Sequence, residues 1–165
     1  MFVLGIDPGL STLGYGIIEA RGRRVRPVAA GAIRTNKEAS IGDRLAELYA
    51  DLDEMVNQHK PDIAAVEQVF VNRNLQTATA VGRASGVVLL VLAQHEIPVA
   101  EYSPSAVKRA LTGYGNADKL QMKKVVAMRL GLEELPSPAD AADALAIALC
   151  HLQGAPLGRI VEGAL

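Results

Sequence analysis

The sequence contains a single cysteine, Cys150, among 165 residues, which excludes an internal disulfide. One unpaired thiol suits a protein of a reducing compartment. The neighbours of Cys150 in LAIALCHL are mostly apolar and predict a buried helix. We therefore expect Cys150 to act as a small core residue and not as a reactive surface thiol.

Long apolar runs are also missing. The longest, Val87 to Ala93, is far below the roughly 20 residues that a membrane-spanning helix needs. No charged segment followed by an apolar stretch opens the chain, as a signal peptide would. These absences predict a soluble, cytoplasmic protein.

The chain has almost no net charge. A formal charge of −1 argues against a generally basic nucleic-acid binder, so any contact with DNA must come from charge segregation. Between residues 105 and 130 the cations are Lys108, Arg109, Lys119, Lys123, Lys124 and Arg129, against the single acid Asp118. Acids dominate residues 36–62. This pattern predicts one basic and one acidic face, although two ordinary solvated helix surfaces would look the same.

Half of the residues are apolar, and their spacing predicts one α/β domain. Strands are expected over 2–7, 12–20, 24–35, 62–67 and 98–102, and helices over 41–59, 76–95, 104–111, 120–130 and 138–152. Ser137 is the expected N-cap of the last helix, with Pro138 at its first position. This order predicts a three-layer fold with a five-stranded mixed sheet flanked by helices. The domain covers residues 1–153, and the tail over 154–165 is a candidate for disorder.

Two acids stand where buried strands end. Asp7 follows FVLGI, and Glu67 follows DIAAV. An ionised carboxylate held in the middle of a sheet costs several kcal/mol unless a cation or hydrogen bonds compensate it. A bound metal ion would compensate both acids.

Two further acids, Asp140 and Asp143, are three residues apart on one helix and therefore share a face. Alanines surround them, which predicts that this helix approaches the sheet closely. Taken singly, Asp7 could merely cap an Asp-Pro-Gly turn, and Asp140 could complete a capping box with Ser137. Taken together, acids at the ends of several apolar elements, with no basic residue beside them in sequence, favour a metal site.

Carboxylate oxygens are the ligands of hard cations such as Mg²⁺ or Mn²⁺, and no Cys or His spacing suggests zinc. Two such ions about 3.5–4 Å apart can activate a water and stabilise the leaving oxygen of a phosphoryl displacement. The four acids thus predict phosphodiester hydrolysis.

Three segments carry a resemblance to a known family. GIDPGLSTLGYG, VEQVF and PADAADALAIAL together resemble the RuvC family of Holliday-junction resolvases, within the ribonuclease-H-like superfamily. Each segment alone is a weak signal, but their order and spacing are specific, and the resemblance covers essentially the whole chain.

The resemblance implies that Asp7, Glu67, Asp140 and Asp143 are both the catalytic tetrad and the ligands of two Mg²⁺ ions, which Mn²⁺ could replace. It also implies a homodimer that binds a four-way DNA junction in recombination and repair. Such a dimer nicks two strands of like polarity symmetrically and leaves 5′-phosphate and 3′-hydroxyl ends. The branch-migration proteins RuvA and RuvB are the implied partners.

One aromatic and several cations are candidates for DNA contact. Phe70 resembles the family's aromatic that stacks on an unpaired base, and Lys119 most resembles its basic position. The remaining candidates for DNA contact are Arg73, Asn74, Arg83, Lys108 and Lys123. Gly82 and Gly86 flatten one side of the helix over 76–95 and allow close helix packing, either inside the domain or across a dimer interface.

Three other functions remain to be tested. An actin-like ATPase also begins with a strand, an acid and a glycine turn, but it needs two such domains, and the chain supplies one. A ribonuclease-H-like enzyme acting on RNA shares the opening GIDPG pattern. A junction-binding scaffold with purely structural acids would bind DNA without metal-dependent nicking.

Overall fold

The computed structural model describes residues 1–68, 75–154 and 158–160. The strands in these residues are β1 (Phe2–Asp7), β2 (Thr12–Arg21), β3 (Arg24–Arg34), β4 (Ile63–Glu67), β5 (Val99–Tyr102) and β6 (Gly158–Ile160). The helices are α1 (Ile41–His59), α2 (Leu75–Gln94), α3 (Pro104–Thr112), α4 (Lys119–Leu130) and α5 (Ala139–Leu152). Most element boundaries agree with the sequence prediction to within one or two residues.

The strands form one mixed sheet in the order β3-β2-β1-β4-β5-β6. β1, β2 and β3 form the predicted antiparallel meander, while β4 and β5 add in parallel to β1. The predicted mixed sheet is confirmed, with one addition. β6 pairs antiparallel with β5 from within the segment that we assigned to the tail. Three residues are too few to show a period-two pattern, so sequence could not indicate this strand.

Helices cover both faces of the sheet, as the three-layer prediction requires. Successive β1 residues point to opposite faces. Val3 joins a core formed with α3, α4 and α5, while Leu4 and Ile6 join a second core formed with α1 and α2. Cys150 is fully buried in the first core, as expected.

Helix α5 lies unusually close to the sheet. A Cβ atom added to Gly5 would lie 2.0 Å from the carbonyl oxygen of Ala144, and one added to Gly14 would lie 2.2 Å from the carbonyl oxygen of Asp140. No side chain fits at either position. Glycine in the strands and alanine on the helix therefore both contribute to the close approach that the alanines predicted.

The start of α5 differs from the prediction. Pro138, not Ser137, is the N-cap residue, and no side chain caps this helix end. Pro138 has an extended backbone, with φ −67° and ψ 177°, so the helix begins one residue later than expected. The predicted N-cap was wrong, and the capping-box alternative for Asp140 does not form.

Helix α2 is long and apolar enough over Gln76–Gln94 to cross a membrane by length and composition alone. Its inner side, however, buries Ala84, Val88, Val91 and Leu92 in the core beneath β1 and β4. Such packing is the behaviour of a helix in a folded domain.

Candidate active site

Asp7 and Glu67 end two neighbouring strands. β1 and β4 run parallel with Ile6 opposite Val66, so the next residue of each strand projects at the same edge of the sheet. Both carboxyl groups are half-buried, and both line a cavity of about 230 Å³. The predicted pair of strand-end acids is thus brought together by the parallel register.

The two helix acids approach from α5. Asp143 lines the same cavity. Asp140 lies one turn earlier, with its backbone directly over Gly14, and Gly14 is the register partner of Asp7. The close packing of α5 on the sheet therefore brings the four predicted acids to one edge of the molecule.

The crowding perturbs the ionisation of Asp7 and Glu67. Burial, followed by the charges of Asp143 and Asp140, raises the pKa of Asp7 to about 6. Burial, followed by the charges of Asp7 and Asp143, raises the pKa of Glu67 to about 7. A hydrogen bond between the two carboxyl groups opposes the rise for Asp7 and adds to it for Glu67.

Two lysines reach the same cavity from other elements. The Nζ atom of Lys119, at the start of α4, lies 3.5 Å from Oδ2 of Asp143. The charge of Lys119 offsets part of the rise in the pKa of Asp7. The charge of Lys108, on α3, does the same for Glu67. No sequence pattern indicated these pairings, because the lysines are distant from the acids along the chain.

The carboxylate oxygens of the four acids are suitable ligands for a divalent cation, but the side chains are not arranged around a common point. Among residues 1–68, 75–154 and 158–160, no three His, Cys, Asp or Glu side chains converge closely enough to hold a metal ion as they stand. Instead, a proton between Asp7 and Glu67 and the ammonium of Lys119 offset the negative charge. Hard oxygen ligands with a shared excess of negative charge nevertheless suit Mg²⁺ or Mn²⁺.

The structure separates the predicted DNA-contacting residues. Lys108 and Lys119 line the cavity, whereas Lys123 lies further along α4 and Arg83 is exposed on α2. The predictions for Phe70, Arg73 and Asn74 fall outside the described residues.

The glycines of β2 are site residues that we did not select from sequence. Gly14 faces Asp140, and a Cβ added to Gly16 would lie 2.8 Å from Leu145. Their signal was visible as small residues two apart in LGYG, which a strand places on one face. That pattern marks a close backbone approach only when the facing helix is known.

A mixed sheet with acids at the ends of two adjacent parallel strands, and further acids on a helix pressed against that sheet, defines a ribonuclease-H-like nuclease. The profile of the family "Crossover junction endodeoxyribonuclease RuvC" matches residues 3–151. The chain belongs to this family.

Individual relatives support the assignment over the full length. The crossover junction endodeoxyribonuclease RuvC of Desulfitobacterium hafniense is 47% identical over 165 residues, covering 100% of both chains. That of Chloroflexus aggregans is 51% identical over 156 residues, 94% of this chain and 95% of the relative. A structure of T. thermophilus RuvC in complex with Holliday junction substrate superposes with a TM-score of 0.87 and 37% identity, covering 92% of this chain and 93% of that chain. The predicted junction-resolvase family is confirmed.

Proposed function

We propose that the protein resolves four-way DNA junctions by hydrolysing one phosphodiester in each of two strands of like polarity. Asp7, Glu67, Asp140 and Asp143 would hold two Mg²⁺ ions, for which Mn²⁺ could substitute. Bound there, the ions would supply an activated water and stabilise the charge that develops on the phosphate. The nicks would leave 5′-phosphate and 3′-hydroxyl ends.

The observation that carries this proposal is the cavity with raised carboxyl pKa values. Asp7 and Glu67 are held close together, burial raises the pKa of both, and the charge of Asp143 adds to the rise at each. Such an arrangement opposes folding of the metal-free protein and favours capture of a cation. A purely structural role gives no reason to keep it.

The lysines at the cavity have a different role. Lys108 and Lys119 place positive charge beside the acids, where a scissile phosphate would lie. Their ammonium groups can hold phosphate oxygens and limit the repulsion between the DNA backbone and the four acids. Lys119, at 80% side-chain exposure, is free to move from Asp143 to a phosphate.

The exposed side of α2 supports a homodimer. A Cβ added to Gly82 or Gly86 would meet no atom of the described residues within 4 Å, so neither glycine packs against these parts of the domain. Leu90, on the same side, is 51% exposed. A flat apolar stripe of this kind suits helix packing against a second copy, and a two-fold dimer would present two equivalent sites to one junction.

The remaining expectations follow from family membership. Phe70 would stack on an unpaired base near the crossover, and RuvA and RuvB would present the junction to the dimer in the cytoplasm. Arg73, Asn74, Arg83 and Lys123 stay predictions as phosphate contacts.

A cleavage assay tests the proposal. The protein is incubated with a labelled four-way junction, a matched linear duplex and a single-stranded RNA, each with Mg²⁺, with Mn²⁺ and with chelator. We expect paired, ligatable nicks in the junction alone, and their loss with chelator. Tight junction binding without nicks under any metal would instead indicate a scaffold, and preference for RNA would indicate the ribonuclease alternative.

A further inference from the structure

A cluster of arginines lies at the end of the molecule opposite the acids. The β2–β3 hairpin carries Arg21, Arg23, Arg24 and Arg26, and all four are exposed. Arg21 and Arg26 both pair with the buried carboxylate of Glu19. That carboxylate anchors two arginines, whereas Arg23 and Arg24 remain at the tip of the hairpin.

The hairpin faces the end of α4. Arg23 and Arg129 line one cavity of about 340 Å³, whose apolar wall includes Val25, Leu149 and Leu152. Within the described part of the chain, no carboxylate lies within ion-pair distance of Arg23, Arg24 or Arg129. Arg23 and Arg129 therefore form a positive patch at this cavity, which we call the hairpin patch, whereas Arg24, in register with Arg21, lies on the opposite face of the hairpin from Val25.

Helix α4 connects the hairpin patch to the active site. Its first residue, Lys119, lines the acidic cavity, and Arg129, near its last turn, lines the second one. At about 1.5 Å per residue, the helix separates these two side chains by about 15 Å along its axis. Lys123 and Lys124 lie between them along the helix.

Along the strands, the distance from the active site to the tip of the hairpin is longer. Gly14 lies opposite Asp7, and β2 continues from there to Arg21 at the start of the hairpin. At about 3.3 Å per residue, that segment is about 23 Å long. A DNA duplex that leaves the active site in this direction would reach the hairpin after roughly seven base pairs, at about 3.4 Å each.

We propose that the hairpin patch of Arg23 and Arg129 binds the phosphate backbone of a junction arm, about four to seven base pairs from the scissile phosphate. This site rests on the proposed junction-binding function and extends its footprint beyond the cleavage centre. Phosphate is favoured over an acidic protein surface because α4 carries an exposed cation at each end, Arg129 at the hairpin patch and Lys119 at the cavity where the scissile phosphate would lie. Backbone contacts of this kind carry no base specificity.

Arm length distinguishes this site from the active site. Binding is measured over a range of salt concentrations for junctions with arms of about five and about 20 base pairs. The variant is Arg23→Gln, at the tip of the hairpin, and the matched control is Lys37→Gln, which removes one exposed cation from the acidic α1 side. Thermal melts first establish that each variant is folded.

We expect the hairpin variant to bind the long-arm junction a few-fold more weakly at low salt, with a salt slope reduced by about 1, because roughly 0.9 counterions are released per phosphate contact. On the short-arm junction, whose arms end before the tip of the hairpin, it should match the unmodified protein. An unchanged salt slope on long arms would overturn the site, as would an equal loss on short arms or in the control. Failure of the unmodified protein to bind either junction would instead overturn the proposed function.

Discussion

The two sets of sheet carboxylates in this protein have opposite surroundings. Glu19, on β2, is only 3% exposed, and its burial would raise its pKa, but Arg21 and Arg26 outweigh that effect and hold its pKa below the ordinary range. Asp7 and Glu67 are also packed into the sheet, yet their nearest charged neighbours include other acids, and their pKa values rise to about 6 and about 7. A buried acid matched by arginines stabilises a hairpin, whereas acids that repel one another form a site for a cation.

The sharpest test of this contrast is Asp7→Asn. The change removes one carboxylate from the acidic cavity but keeps its size. We expect cleavage of a junction to fall by at least about a thousandfold, since an ion at such a site supplies several kcal/mol of transition-state stabilisation. Junction binding, measured in chelator, should persist. Equal loss of cleavage and binding would contradict the assignment of Asp7 to the chemistry.

The close packing of α5 on the sheet can be disrupted by a substitution that leaves all four acids in place. In Gly14→Ala the new Cβ would lie 2.2 Å from the carbonyl oxygen of Asp140, so α5 must move. We expect a loss of about 1–3 kcal/mol in the free energy of unfolding, and a fall in cleavage of up to about a hundredfold as the acids are displaced.

Gly42→Ala is the matched control, because Gly42 is an exposed helix position where the nearest atom to a Cβ is 3.9 Å away. Alanine there should stabilise the protein slightly. If Gly14→Ala melted and cut like the unmodified protein, the close approach would not be needed to position the acids.

The pH dependence of stability should differ between the two sets of acids. In the folded protein the pKa values of Asp7 and Glu67 lie above their ordinary 3.8 and 4.5. The folded state then binds more protons than the unfolded state, so the contribution of these groups is fully present below about pH 4 and is lost as the pH rises through 6 and 7. Mg²⁺ competes with those protons and should restore stability mainly at high pH.

Thermal melts at pH 5 and pH 8, with chelator and with Mg²⁺, measure this effect. At a hundredfold excess over its Kd, a ligand stabilises the folded state by about 2.7 kcal/mol, which is a shift of several degrees in Tm. We expect most of that shift at pH 8. An equal shift at both values would place Mg²⁺ away from Asp7 and Glu67.

Glu19→Gln tests the other side of the comparison. The variant leaves Arg21 and Arg26 without their carboxylate, so it should be less stable than the unmodified protein at neutral pH. Because the pKa of Glu19 is lowered on folding, its contribution is present above the ordinary carboxyl pKa and fades as the pH falls through the folded value. The difference in Tm should therefore shrink in acid, while cleavage at saturating junction stays unchanged. Loss of cleavage in the folded variant would make Glu19 more than structural.

The smallest expected effect comes from Lys119→Ala. Lys119 lies beside the acids as Arg21 lies beside Glu19, but its side chain is 80% exposed and only 3.5 Å from one oxygen of Asp143. If it leaves Asp143 for a phosphate, the variant should bind the junction a few-fold more weakly, with a salt slope reduced by about 1. Lys37→Ala serves as the control. An unaltered slope would leave Lys119 as a partner of Asp143 alone.

Strand and helix positions were largely predictable because their signals are local. The period-two and helical spacing of apolar residues predicted β1 to β5 and α1 to α5, and the acids at the ends of β1 and β4 stood out in the same pattern. The prediction was wrong where two neighbouring residues could both cap a helix, and it missed a strand too short to show a pattern. Pro138 replaced Ser137 as the N-cap of α5, and β6 was too short to indicate.

The sequence by itself determined the elements, the family and the four acids, since each depends on residues close together in the chain or on a motif. Only the tertiary structure decided what those acids face. The parallel register of β1 and β4 sets Asp7 beside Glu67, Gly14 admits α5, and α4 carries Lys119 to Asp143. Such neighbours come from elements far apart in sequence, and their effect on a carboxyl group depends on distance and burial, which a linear pattern does not contain.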